Sequence, residues 1–133
     1  METLTDFSFH YGRYQLNPRQ CANCGFIDNV PSEKMTDVNI AAELLADAFQ
    51  GRFDTALLIS ADADLVPPLN MVRNLFPAMK VVVAMPPNRN SVELAKVASA
   101  HFHISRRQMA RSLFPPEVRK PDGFVLKCPA SWR

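Results

Sequence analysis

The sequence predicts an α/β domain built on a mostly parallel sheet, and three observations carry that prediction. Short apolar runs alternate with helix-period segments from residue 36 to 113, the pattern of strand–helix–strand units. Two of those runs, Thr55-Ala-Leu-Leu-Ile-Ser60 and Lys80-Val-Val-Val-Ala84, are apolar at nearly every position instead of every second one. Strands of that kind are buried on both faces, as in parallel sheets. The first run ends abruptly in Asp62-Ala-Asp64, and open parallel sheets collect their chemistry just beyond the carboxyl ends of their strands.

Along the chain, Phe7–Gly12 alternates weakly and reads as a strand. Residues 16–33 read as a loop, punctuated by Asn17-Pro18, Cys21-Ala-Asn-Cys24-Gly25 and Pro31. A helix follows from Thr36 to Phe49 and stops at Gly51. Apolar positions cover more than one of its sides, so it is mostly buried. After the 55–60 strand, Asp64 caps a helix over 65–75 that tolerates Pro67 and Pro68 in its first turn. The 80–84 strand leads to a loop over Met85–Asn90. Asn90-Ser-Val-Glu93 has capping-box spacing and opens a helix to Ser99. His101–Ile104 is a short strand, and Ser105 caps a basic helix to Leu113. The rest is Pro-rich, with Asp122-Gly123 suited to a hairpin turn. The organisation expected is one domain over 1–113 and a Pro-rich, basic C-terminal tail over 114–133.

Composition narrows the class. A chain of 133 residues with 47% apolar and 21% charged residues is that of a soluble globular protein. No apolar run approaches the roughly 20 residues that span a bilayer, and the first residues show no basic and apolar leader pattern. Three cysteines without an export signal point to reduced thiols and a cytoplasmic location. The net charge of +2 is unevenly spread: residues 101–133 carry 7 Lys/Arg against 2 Asp/Glu. That basic end, with Arg106, Arg107 and Arg111 on its helix, suits a polyanion such as RNA or, equally, a solvated helix face.

The acidic residues are the strongest chemical signal. Asp62 and Asp64 are hard oxygen donors of the kind that hold a divalent cation; the plainer reading is a polar loop that caps a helix. Asp37 sits in the first turn of the 36–49 helix and heads an otherwise apolar face formed with Ala41, Leu44 and Ala48. It either complements the helix dipole or points into the same crevice as Asp62 and Asp64. Three carboxylates around one site suit Mg²⁺ or Mn²⁺, which activate water and steady a phosphoryl transition state. An EF-hand is excluded, because Asp62–Pro67 lacks the further oxygen ligands and the glycine. A strand ending in Asp-x-Asp-x-Val is also similar to the nucleophile motif of haloacid-dehalogenase phosphatases. No acidic pair follows here to support that chemistry.

Two segments together resemble a known family. Glu33-Lys34-Met-Thr-Asp37-Val-Asn39 leads into a helix, and Ser60-Ala-Asp62-Ala-Asp64 follows a strand. Both resemble the acidic motifs of the NYN domain, a PIN-like nuclease family. The Pro86-Pro87-Asn-Arg89-Asn-Ser91 loop with Leu94 is similar to the family's next loop and helix, so the resemblance covers about residues 5–113. It implies a PIN-like three-layer α/β/α fold and a Mg²⁺- or Mn²⁺-dependent ribonuclease. It implies Asp37, Asp62 and Asp64 as metal ligands and Ser60 as a group orienting ligand or phosphate. Asn39 is implied as a donor behind the ligands, Lys34 as a phosphate contact, and Arg89 as part of the RNA-facing set.

Three features depart from the family pattern. Ala63 stands where a hydroxyl is common, and Ala61 stands where glycine is common. The family's first strand, which ends in another carboxylate, has no counterpart in residues 1–15, where Asp6 precedes a strand instead of ending one. The edge beside the 55–60 strand is then expected to be filled by a second copy, as a homodimer completing the sheet, or by the 7–12 strand. Two other functional classes compete with the ribonuclease: a nuclease-derived RNA-binding or regulatory module with a defective site, and a metal-dependent phosphatase. Cys21-x-x-Cys24-Gly25 is half of a zinc knuckle; a Zn²⁺ site there competes with the default of free thiols.

Overall fold

A computed structural model of the protein describes residues 7–132. It divides into two compact units, one of His10–His103 and one of Ile104–Arg133 with the N-terminal residues through Phe9. The Asp6 and Arg133 positions lie outside the described residues.

The first unit is α/β. Strands β3 (Thr55–Ile59), β4 (Lys80–Met85) and β5 (Ala100–His103) form a parallel sheet in that order. Helix α1 is Thr36–Phe49, α2 is Val66–Leu75 and α3 is Val92–Val97. The core lies between one face of β4 (Val81, Val83, Met85) and Ala48 of α1, Leu65, Leu69 and Val72 at and in α2, and Leu94 of α3. Their apolar side chains are withdrawn from water and supply most of the stabilisation. Cross-strand partners share a face of a sheet. The opposite face therefore holds Leu57 beside Val82, and Ile59, Ala84 and Phe102 in a row. There Leu57 is 59% and Ile59 60% exposed, and Phe102 is exposed too. Among the described residues β3 has a strand on one side only, so its other edge is open.

The helix starts follow local chemistry. Met35 turns the chain through a left-handed conformation (φ 83°) into α1, and the Glu33 carboxylate accepts from the Thr36 N–H at 3.2 Å and from the Thr36 hydroxyl. Beyond β3 the chain makes a 3-10 turn, Ala63–Leu65, before α2. Its cap is Asp62, whose Oδ1 accepts from the Asp64 N–H at 3.0 Å. The expected cap, Asp64, lies inside that 3-10 turn, and Leu65 takes the cap position of α2 without a side-chain bond. Ser91, not Asn90, caps α3, its Oγ accepting from the Leu94 N–H at 3.2 Å.

The N-terminal expectations require correction. Residues 7–12 form no strand. His10–Gly12 instead runs beside α1, where Asn39 Nδ2 donates to the Tyr11 carbonyl at 3.3 Å and His10 Nδ1 lies 3.3 Å from Glu43 Oε1. Gly12 is required there: a Cβ would run into the Glu33 carboxylate and the Thr36 hydroxyl, and would lie 2.9 Å from the Lys34 carbonyl. The 16–33 segment is not a loop. Strands β1 (Arg13–Gln20) and β2 (Ile27–Lys34) pair antiparallel from Arg13↔Lys34 to Gln20↔Ile27. Both strands of a two-stranded ribbon are edges, so Pro18 and Pro31 are tolerated in them. Cys21–Gly25 makes the turn, closed by Gly25 N–H to the Cys21 carbonyl at 2.9 Å with Gly25 at φ 71°.

In the second unit, α4 (Arg106–Arg111) is opened by a full capping box between Ser105 and Gln108. Strands β6 (Glu117–Arg119) and β7 (Val125–Lys127) pair antiparallel. Their turn is made at Asp122-Gly123, where Asp122 Oδ1 accepts from the Phe124 N–H at 2.9 Å and Gly123 has φ 87°.

Candidate acidic active site

The start of α1 and the loop after β3 converge on one cavity of about 320 Å³, lined by Glu33, Lys34, Met35, Asp37, Val38, Ala41 and Asp64. Local devices place the Glu33, Asp37 and Asp64 carboxylates in its wall, while Asp62 does not line it and caps the turn that carries Asp64. The Glu33 bonds to Thr36 fix the β2–α1 turn and set Asp37 in the first helical turn. Ser60 Oγ accepts from the Asp62 N–H at 3.1 Å, and Asp62 Oδ1 accepts from the Asp64 N–H. Ser60 therefore shapes the turn that carries both Asp residues.

The electrostatics of Asp37 report this crowding. Its carboxyl is pushed above its ordinary value, first by burial and then by the negative charges of Asp62, Glu33 and Asp64. A half-buried carboxylate among three others is a costly arrangement that a cation relieves. Among the described residues no three His, Cys, Asp or Glu side chains are already gathered closely enough to hold a metal ion. The donors, hard oxygens on exposed Asp62 and Asp64 and on half-buried Asp37, are of the type that Mg²⁺ or Mn²⁺ takes.

The other expected site residues fall in three places. Lys34 lines the cavity and supplies its positive side chain. Asn39 is used to tether the Tyr11 carbonyl. Arg89 is exposed in the β4–α3 loop. Arg106, Arg107 and Arg111 are exposed on α4 of the second unit. Cys21 and Cys24 stand exposed as free thiols at the tip of the β1–β2 hairpin. Glu33 was not among the expected site residues, yet it lines the cavity and raises Asp37. Its signal in the sequence is its place in Glu33-Lys-Met-Thr-Asp37, four residues before Asp37.

The model of the NYN domain matches residues 9–106, about three quarters of the chain. The chain belongs to the NYN domain family. A curated relative, 6-hydroxy-3-succinoylpyridine 3-monooxygenase HspA of Pseudomonas putida (strain DSM 28022 / S16), is 31% identical over 106 residues. Those residues are 75% of this chain and 33% of the relative, so this NYN chain spans about a third of that protein's length. A crystal structure of a protein of unknown function from Vibrio parahaemolyticus RIMD 2210633 is similar at TM-score 0.49 and 21% identity, over 69% of this chain and 49% of that one. No helix among the described residues is long and apolar enough to cross a membrane.

Proposed function

We propose that this NYN domain is a Mg²⁺- or Mn²⁺-dependent RNA phosphodiesterase. The observation that carries the reading is the crevice in which Asp37, raised by burial and by Asp62, Glu33 and Asp64, meets the loop beyond β3. Asp37, Asp62 and Asp64 would hold the ion. When bound there it supplies charge neutralisation and a water of lowered pKa. Lys34 receives a phosphate of the backbone at the cavity wall, and Ser60 keeps the Asp62–Asp64 turn in place. Arg89 and the α4 arginines attract the RNA chain through its charge.

The test is cleavage of single-stranded RNA with Mn²⁺ by the wild-type protein and by Asp62→Asn, purified in parallel. Asn keeps the capping oxygen but loses the charge, so the fold is preserved. Activity is expected to fall at least roughly a hundredfold, and chelator is expected to abolish it. Equal cleavage by both proteins would assign it to a contaminant. RNA binding without cleavage by either would favour the regulatory module, a reading supported by the carboxylates not being gathered in advance. Hydrolysis of a simple phosphomonoester alone would favour the phosphatase. The relative's printed activity is a further reading, favoured by 31% identity. Oxygenation of 6-hydroxy-3-succinoylpyridine by this chain, with RNA untouched, would replace the nuclease reading.

A further inference from the structure

The β1–β2 hairpin has no role in the acidic crevice beyond its Lys34 end, and its composition is two-sided. Tyr14↔Glu33, Leu16↔Pro31, Pro18↔Asn29 and Gln20↔Ile27 pair on one face, and Arg13↔Lys34, Gln15↔Ser32, Asn17↔Val30 and Arg19↔Asp28 on the other. The first face carries most of the apolar side chains, beside Glu33, Asn29 and Gln20, and it is bare: Tyr14 is 79%, Leu16 63% and Ile27 59% exposed. A two-stranded hairpin alone in water is marginally stable at best, so an arm of this length needs something to hold it. At about 3.3 Å per residue the tip stands roughly 25 Å from the Lys34 end.

The tip has the build of a thiolate half-site. Cys21 and Cys24 flank a turn closed by Gly25 N–H to the Cys21 carbonyl and Cys21 N–H to the Phe26 carbonyl, 2.9 and 2.8 Å. Gly25 takes the left-handed conformation that lets the chain reverse directly after Cys24. Both thiols are exposed, and among the described residues no third His, Cys, Asp or Glu joins them in a metal-sized group.

We propose that Cys21 and Cys24 form half of a tetrahedral four-thiolate zinc site, completed by the same pair from a second copy of this chain. The tip gives two soft ligands with the short spacing of a structural zinc site, and a closed structural site takes four. A two-fold axis through the zinc supplies the other two and makes the contact self-complementary. With that axis running along the arms, the Tyr14, Leu16 and Ile27 faces of the two copies meet as well. Each thiol that binds as thiolate gives its proton to solvent, up to four per zinc, with no change of oxidation state. The site lies at the opposite end of the hairpin from the acidic crevice, and its soft thiolates suit zinc where the crevice's carboxylates suit a hard ion.

The test uses the reduced full chain, titrated with Zn²⁺ and followed by metal analysis and sedimentation. One zinc per two chains is expected, with a monomer-to-dimer shift that a chelator reverses. Cys21→Ser and Cys24→Ser should each lose both, while Cys128→Ser changes neither. Leu16→Asp should weaken the zinc-linked dimer at least tenfold. Circular dichroism of each variant separates loss of metal from loss of fold. One zinc per chain without change of mass, loss of zinc in Cys128→Ser, or a reduced protein that takes up no zinc would each overturn the proposal.

Discussion

Asp37 shows how one residue can be unfavourable for folding and favourable for function. Its carboxyl is raised by burial and by three like charges, so the ionised form is penalised in the folded chain relative to the unfolded one. That penalty is complete above the raised folded value and disappears as pH falls through it to the ordinary carboxylate value, where both states hold the proton. Asp37→Asn is therefore expected to stabilise the metal-free protein at pH 7. Solvent screening keeps the gain to a few tenths of a kcal/mol, about 1–2 °C in Tm. The gain should vanish below about pH 3.5. Added Mg²⁺ should raise the Tm of the wild type and not of the variant, and thermal melts at both pH values, with and without Mg²⁺, check all three statements. At this scale much of the site was legible. Asp62 and Asp64 announce themselves by ending an apolar strand, and Asp37 by heading an apolar helix face. Glu33 was not legible as a site residue, because its place depends on the left-handed turn at Met35, which a sequence of ordinary residues does not advertise.

Elements with dense apolar patterning are legible in position but not in burial, since α1 buries only Ala48 and β3 has no fully buried residue. Helix α1 spans the expected residues, and β3 and β4 lie where their apolar runs do. The β1–β2 hairpin is hidden in the sequence because two prolines and a polar majority resemble a loop. Its pairing is fixed by a Cys-x-x-Cys-Gly turn instead of by a buried face. The 7–12 segment was misread for the opposite reason: its alternation is weak, and Gly12 and Tyr11 serve contacts with α1 and β2. The caps are a finer case. Ser91 is buried at the head of α3 and accepts the Leu94 N–H, with Glu93 Oε2 3.4 Å from its hydroxyl. Ser91→Ala leaves that N–H without its partner. It is expected to cost about 1 kcal/mol, seen as a fall in Tm of roughly 3–5 °C, whereas Asn90→Ala should leave Tm nearly unchanged.

For the molecule as a whole, the α/β class followed from strand and helix order, and the sheet's open side did not. The apolar edge strand β3 exposes Leu57 and Ile59 and carries no lysine or proline to discourage pairing. Apolar runs show that a strand is built to be covered, not what covers it. The isolated chain is accordingly expected to self-associate on warming. Leu57→Lys should suppress light scattering with a change in stability within about 0.5 kcal/mol; equal scattering by both would show that the edge is not the adhesive surface.

The central claim is that residues from α1 and from the loop after β3 act together as one cation site, and Mn²⁺ titration calorimetry tests it most directly. The wild-type protein should bind one Mn²⁺ saturably, and Asp37→Asn, Asp62→Asn and Asp64→Asn should each weaken that binding at least tenfold, although Asp37 lies far from the other two in sequence. Binding left unchanged by Asp37→Asn, or no binding by the wild type with RNA present, would contradict the account.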